Sequence, residues 1–142
     1  MKPPKVIGHR GAAENAPENT LESFRAAAAE GARWVEFDAK LTADNAVIIL
    51  HDDDLDRTTN GKGPAKLNTL AELKALDAGS WFKPGLQPGF AGARIPTLAE
   101  TLRLLGELDL SANVELKPCP GDRKSTRLNS SHIQKSRMPS SA

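Results

Sequence analysis

The chain has 142 residues, of which 39% are hydrophobic and 26% charged, the proportions of a soluble globular protein. Its formal net charge of +1 gives no reason to expect a nucleic acid or an anionic membrane as a partner. The single cysteine excludes an intrachain disulfide. The sequence has neither a signal peptide at its start nor an apolar run long enough to cross a membrane, so a cytoplasmic location is expected.

Four short apolar segments are spaced along the first 121 residues. They are rich in β-branched or aromatic residues, as buried parallel strands are. In chain order they cover residues 6–8, 34–37, 47–50 and 112–116. Their alternation with helical patterns predicts a parallel α/β fold.

Three helices are predicted between these segments from their capping patterns. Asn19, with Glu22 three residues later, indicates the start of a first helix that runs to Gly31. Residues 69–72 and 97–100 each read Thr-Leu-Ala-Glu, a capping box that opens a second and a third helix.

The composition changes abruptly after residue 121. Residues 122–142 contain six serines and five Lys or Arg with almost no apolar periodicity, which is typical of a disordered segment. Stretches 122–132 and 136–142 resemble the translation of a common sequencing adapter, so we interpret the tail as an artefact and take 1–121 as the domain. Those 121 residues hold 14 basic and 17 acidic side chains, a net charge of −3. A native tail would instead be a basic extension suited to RNA or anionic lipid.

Ionisable residues gather where the predicted strands end. Carboxyl ends of parallel strands form the edge at which α/β proteins build their sites. The residues placed there are His9, Arg10, Glu36, Asp38, His51, Asp52, Glu115 and Lys117.

The carboxylates among them have the pattern of a cation site. Glu36 and Asp38 are two residues apart, so their side chains share one face of a strand, and Glu115 and Lys117 repeat this spacing. Three converging carboxylates repel one another unless a cation neutralises them, and oxygen ligands suit Mg²⁺ or Ca²⁺ better than zinc. The alternative is that Glu36 and Asp38 simply pair with Lys or Arg.

The other residues suit proton transfer and phosphate binding. His9 and His51 are the only histidines in 1–121, and histidine titrates near neutral pH, so both are candidates for acid and base. The alternative for each is a hydrogen-bonded structural role. Arg10 and Lys117 suit phosphate oxygens, although they could also only balance the carboxylates. Asp52 is a candidate to orient His51.

Read together, these residues resemble the glycerophosphodiester phosphodiesterase family. The matching stretches, in the same order and spacing, are His9-Arg10-Gly11, Pro17-Glu18-Asn19-Thr20, Glu36-Phe37-Asp38, His51-Asp52, Ile95-Pro96-Thr97-Leu98 and Glu115-Leu116-Lys117. The resemblance implies a TIM barrel that hydrolyses small glycerophosphodiesters to sn-glycerol 3-phosphate and an alcohol.

The resemblance also implies a role for each site residue. Glu36, Asp38 and Glu115 would bind one divalent cation, and His9 and His51 would be general base and acid in an order that the sequence leaves open. Arg10 and Lys117 would bind phosphate. Glu18 matches a further site position, and its other reading is a helix-start charge favoured by the helix dipole.

The chain departs from this family in length. A TIM barrel needs about 250 residues, whereas residues 1–121 supply about four strands. The sequence therefore predicts the N-terminal half of a TIM barrel, and the polypeptide as written is expected to be poorly folded and inactive.

Two other functions stay open from the sequence. One is a related TIM-barrel lipid phosphodiesterase, or a phospholipase D-like enzyme, acting on lipids that keep their acyl tails. The other is a catalytically dead barrel that serves as a binding module.

Overall fold

The fold is built on a five-stranded mixed sheet. A computed structural model describes residues 7–83, 85 and 89–118, and the backbone of residues 132–135. Strands β1 (Gly8–His9), β2 (Trp34–Leu41) and β4 (Ser111–Leu116) are parallel neighbours in that order. Strands β3 (Val47–Ile49) and β5 (His132–Lys135) pair antiparallel with β2 and β4. The α/β class is confirmed, but the sheet is not wholly parallel.

The prediction that the third strand is parallel was wrong. Only residues 42–46 separate β2 from β3, whereas a crossover between parallel strands takes a dozen or more residues. The amide of Thr42 donates to the Ala46 carbonyl at 2.9 Å, and Asn45 turns the chain with φ of 63°. The two strands therefore form a hairpin. Pairing with β3 also extends β2 to Leu41, beyond the predicted end.

The helices lie where the capping patterns predicted them, with one correction. Helix α1 (Leu21–Ala29) is capped by Thr20, whose hydroxyl accepts the Ser23 amide at 3.1 Å, and not by Asn19. Asn19 precedes the cap in the left-handed region, with φ of 58°. The predicted stop is confirmed, because Gly31 follows the end of the helix with φ of 91°.

The other two helices begin at their predicted capping boxes. Helix α2 (Leu70–Lys74) is capped by Thr69 and helix α3 (Leu98–Leu108) by Thr97, and in both the glutamate three residues after the cap completes the box. A short 3₁₀ turn, Ala65–Leu67, precedes α2.

Alternation along β2 separates a core face from a polar face. Val35, Phe37 and Ala39 are buried among residues of α1 and α3, and the ring of Phe37 lies 5.4 Å from that of Phe24. With a side-chain period of two, the polar residues of the strand occupy the opposite face. They are Glu36, Asp38 and Lys40. The core thus fixes which side chains can converge on that polar face.

A second buried cluster holds the hairpin and the chain beyond it. Ile48 and Leu50 pack with residues from the turn after the hairpin, from α2 and from the segment before α3. The amide of Ile49 also donates to the Pro96 carbonyl at 2.9 Å. This packing sets where the chain goes after β3.

The tail contains one described element. Strand β5 pairs with β4 so that His132 lies in register with Glu115, whereas the sequence predicted no regular structure after residue 121. The expectation of disorder therefore fails for residues 132–135. The rest of 122–142 lies outside the described residues, and the foreign origin of the tail stays a prediction.

Candidate active site

Three carboxylates converge on the polar face of the sheet. Glu36 and Asp38 project from β2, and Asp38 lies in register with Glu115 of the parallel strand β4. One oxygen from each of the three side chains lies within 4.8 Å of the others. The spacing of two along β2 thus places both its carboxylates on one face, as predicted.

Asp38 is the buried member of the group, with 1% of its surface exposed. Its Oδ2 accepts the Asn19 side-chain amide at 3.0 Å and lies 3.6 Å from Nε of Arg10. Its Oδ1 is buried without a hydrogen-bond partner within the described part of the chain. Leaving a charged oxygen in this state is costly unless a cation compensates it. The donor set and this oxygen therefore fit a divalent cation.

Glu36 lies beside Asp38 and has an altered acidity. Burial and, after it, the negative charge of Asp38 raise the pKa of the Glu36 carboxyl. Nε2 of His9 at 3.8 Å and the amide of Arg10, which donates at 3.3 Å, act in the opposite direction. The raised pKa indicates that burial, together with the neighbouring negative charges, outweighs the stabilisation of the carboxylate by His9 and Arg10.

His9 lies at the rim of the carboxylate group. It ends β1 in register with Glu36, and 68% of its side chain is exposed. The imidazole is therefore accessible to a solute on the polar face of the sheet.

His51 reaches the same face because the hairpin folds back. The amide of Leu50 donates to the Asp38 carbonyl at 2.9 Å, which brings the chain after β3 alongside β2. The fully buried Lys40 side chain holds this segment by donating to the His51 carbonyl at 3.1 Å and to that of Asp52. From the sequence, His51 was expected at this face because β3 was predicted to be parallel. In the structure His51 lies there because β3 is antiparallel and folds back along β2.

The Asp52 carboxylate sets the protonation pattern of the His51 ring. Nδ1 of His51 lies 2.8 Å from Oδ1 of Asp52. Hydrogen bonds from Arg57 and then from His51 hold the pKa of Asp52 well below its usual range, against the effect of partial burial. An ionised carboxylate only accepts hydrogen bonds, so Nδ1 carries the proton and Nε2 is the basic nitrogen. His51 is thereby prepared to exchange a proton at Nε2.

The two predicted phosphate ligands adjoin the carboxylates. Arg10, with φ of 53°, directs Nη1 to both oxygens of Glu18 at 3.2 and 3.3 Å. Nζ of Lys117, just after β4, lies 3.2 Å from Oε1 of Glu115. Glu18 therefore orients Arg10 and is not just a charge at the start of a helix.

Two residues join this arrangement that the sequence did not single out. Asn19 was interpreted as a helix cap, and Arg57 was not among the candidate site residues. The signal for Asn19 was its place between the motif residues Glu18 and Thr20. The contact of Arg57 with Glu18 gave no signal, because the two residues are 39 positions apart in the sequence.

Basic neighbours offset the carboxylates only in part. Within the described residues, the side chains of Arg10, Arg57 and Lys117 pair with four of the site's carboxylates, and Lys40 contacts the Asp52 carbonyl; the paired carboxylates are Glu18, Asp38, Asp52 and Glu115. Asp38 nevertheless keeps one buried oxygen without a hydrogen-bond partner within the described residues. Simple pairing with Lys and Arg, the alternative to a cation site, does not account for that oxygen.

The arrangement agrees with a match to a known family. The model of the glycerophosphoryl diester phosphodiesterase family matches residues 9–139, a range that begins at His9 and extends into the tail. The chain belongs to this family. The wider sequence resemblance is thus confirmed.

The chain matches part of the length of its relatives and of solved structures in the glycerophosphodiester phosphodiesterase family. A glycerophosphodiester phosphodiesterase of Caldanaerobacter subterraneus is 47% identical over 112 residues, 79% of this chain and 44% of the relative. A phosphodiesterase of Oleispira antarctica, solved with the product sn-glycerol 3-phosphate, superposes with a TM-score of 0.80 at 45% identity over 89% of this chain and 50% of that one. The glycerophosphodiester phosphodiesterase of Agrobacterium tumefaciens gives 0.74 at 40% identity, over 81% and 48%. The chain thus spans about half the length of the proteins it matches.

Among the described residues, no helix combines the length and the apolar character needed to cross a bilayer. The cytoplasmic location stays a prediction.

Proposed function

We propose that this site hydrolyses glycerophosphodiesters to sn-glycerol 3-phosphate and an alcohol, as part of a barrel longer than the described residues. The observation that carries the proposal is the group of three carboxylates with His9 beside Glu36. His51, which contacts Asp52, follows the segment that pairs with β2 next to Asp38. The related Oleispira enzyme, solved with sn-glycerol 3-phosphate, supports the choice of substrate class.

The proposed cation ligands are Glu36, Asp38 and Glu115, with Mg²⁺ or Ca²⁺ as the ion. These hard oxygen donors, and the buried Oδ1 of Asp38 that has no hydrogen-bond partner within the described residues, favour such an ion. When bound, the cation would supply Lewis-acid polarisation of the phosphoryl oxygens.

His9 and His51 are proposed to move the protons. One removes a proton from the attacking hydroxyl, of glycerol or water, and the other protonates the leaving alkoxide. For His51 the exchanging atom is Nε2, because Asp52 holds the proton on Nδ1. His9, whose exposed ring lies beside Glu36, is proposed to transfer the other proton.

Arg10 and Lys117 are proposed to bind the phosphate oxygens. Both already lie at the carboxylate group, so a phosphodiester there would meet two cations as negative charge builds up on its oxygens. Glu18 keeps the Arg10 guanidinium in place by accepting two hydrogen bonds.

The test uses the protein encoded by the uninterrupted reading frame that contains residues 1–121. With glycerophosphocholine and Mg²⁺ or Ca²⁺, we expect release of sn-glycerol 3-phosphate. His9→Ala and His51→Ala should each lower kcat by about 10²–10⁴-fold, the usual contribution of a general acid or base.

Asp54→Asn is the control, because Asp54 is exposed and lies outside the site. Its kcat should stay within twofold of the wild-type value. Losses below tenfold in both histidine variants would count against their role. The polypeptide of 142 residues itself is expected to give no turnover.

A further inference from the structure

Arg57 lies between two carboxylates of the site. Its Nε donates to Oδ2 of Asp52 at 2.8 Å, and its Nη2 donates to Oδ1 of the same residue at 2.9 Å. Nη2 also donates to Oε1 of Glu18 at 2.7 Å, and Nη1 donates to Oε2 at 3.2 Å. One guanidinium therefore engages all four oxygens of two carboxylates that are far apart in sequence.

Each of these carboxylates has a second partner in the proposed machinery. Asp52 contacts Nδ1 of His51 at 2.8 Å, and Glu18 accepts both its other hydrogen bonds from Arg10. A continuous chain of hydrogen bonds thus runs from His51 through Asp52, Arg57 and Glu18 to Arg10. It connects the proposed proton-transfer group to the proposed phosphate ligand.

The backbone holds Arg57 in place through the turn on which it lies. Leu55, two residues earlier, is 2% exposed and packs in the second buried cluster. Thr59 closes the turn by donating its amide at 3.1 Å and its hydroxyl at 2.6 Å to the Leu55 carbonyl. The turn is therefore anchored on both sides of Arg57.

An ion pair with a half-exposed arginine contributes little to stability by itself. The bidentate hydrogen bonds of Arg57 instead affect orientation, because the planar guanidinium fixes the plane of the carboxylate that it binds. Without Arg57, the Asp52 carboxylate could rotate away from His51, and Glu18 would lose the partner opposite Arg10.

We propose that Arg57 is a positioning residue, which holds Asp52 so that it orients His51 and holds Glu18 so that it orients Arg10. The effect on turnover rests on the proposed function. The effect on the His51 ring does not, since it depends only on the hydrogen bonds described above.

The first measurement observes the ring directly. Nitrogen-15 NMR of the histidines in the complete protein, at a pH where the imidazoles are neutral, reports which ring nitrogen carries the proton. We expect His51 of the wild type to be protonated at Nδ1, and Arg57→Gln to show both tautomers. Arg25→Gln, which removes an exposed arginine of α1, should match the wild type. An unchanged His51 tautomer in Arg57→Gln would overturn the proposal.

The second measurement tests whether Arg57 acts through Asp52. Arg57→Gln should lower kcat by about 10–100-fold, a part of the total contribution of an acid or base. In the Asp52→Asn background, the same substitution should lower kcat by a smaller factor than in the wild type, because the route through Asp52 is already lost and only the effect through Glu18 remains. Losses that multiply in the double variant would contradict this route.

Two further comparisons keep the outcomes distinct. Arg57→Lys preserves the charge but not the fork, so its kcat and tautomer ratio should lie between those of Arg57→Gln and the wild type. If Arg57→Gln fails to fold, the Arg57→Lys variant replaces it in both measurements. If the wild type has no phosphodiesterase activity, the proposed function fails, and the tautomer measurement alone decides the role of Arg57.

Discussion

At the scale of single residues, Asp38 shows how a buried charge indicates a ligand. It is almost fully buried, accepts from Asn19, and retains one buried oxygen without a partner among the described residues. A structural carboxylate would have both oxygens satisfied. The Asn19 contact therefore serves to orient Asp38 toward whatever the second oxygen binds.

Substitutions of Asn19 can separate the effect of its side chain on Asp38 from the effect of its left-handed backbone conformation. Its φ of 58° suits asparagine and glycine but strains alanine. Asn19→Gly removes only the side chain that contacts Asp38, and we expect it to weaken divalent-cation binding by about 10–100-fold, as loss of a ligand's hydrogen-bond partner does in other metal sites.

Asn19→Ala is the companion variant. It should show the same loss of cation affinity and, in addition, a free energy of unfolding lower than that of Asn19→Gly by about 1 kcal/mol. Urea unfolding and calorimetric titration give the two quantities. Cation affinity in Asn19→Gly equal to that of the wild type would exclude the orienting role.

At the scale of elements, the hairpin of β2 and β3 decides whether His51 belongs to the site. The sequence predicted that His51 lies at the end of β3, but it predicted the wrong direction for that strand. The apolar pattern of residues 47–50 is the same for a parallel and an antiparallel strand. The length of the connection separates the two cases, because residues 42–46 can close only a hairpin.

The difference between local and long-range interactions explains what else could be predicted from the sequence. Helices α2 and α3 start where their Thr-x-x-Glu boxes predict, because capping is a local interaction. The contacts of Arg57 could not be predicted, because the partners that it joins meet only after β1, β2 and the hairpin have assembled. Local interactions such as capping can be predicted from the sequence, whereas contacts between distant segments can be identified only once the fold is known.

The hairpin turn itself gives a prediction. Asn45 is exposed and adopts φ of 63°, so its backbone conformation is its main contribution. Asn45→Val should lower the free energy of unfolding of the complete protein by about 1–2 kcal/mol, because a branched side chain is strained in the left-handed region.

Asn45→Gly is the matched control, since glycine adopts this conformation without strain, and its stability should stay within about 0.5 kcal/mol of the wild type. Urea unfolding of the two variants measures the difference. Equal stability of the valine and glycine variants would show that this turn does not constrain the hairpin.

At the scale of the whole molecule, the chain contains every residue of the proposed machinery within about half the length of its relatives. The parallel strands β1, β2 and β4 carry the ionisable groups on one face and the apolar core on the other. Family membership and geometry therefore lead to the same proposal, a cation site surrounded by proton-transfer and phosphate-binding groups.

The central claim is that Glu36, Asp38 and Glu115 hold one divalent cation. Calorimetric titration of Mg²⁺ and of Ca²⁺ into the metal-free complete protein tests it most directly. We expect one ion per molecule in the wild type and in the control Asp54→Asn, and loss of that binding in Asp38→Asn and Glu115→Gln. A wild type that bound neither ion, or variants that bound an ion as tightly as the wild type, would contradict the proposed cation site.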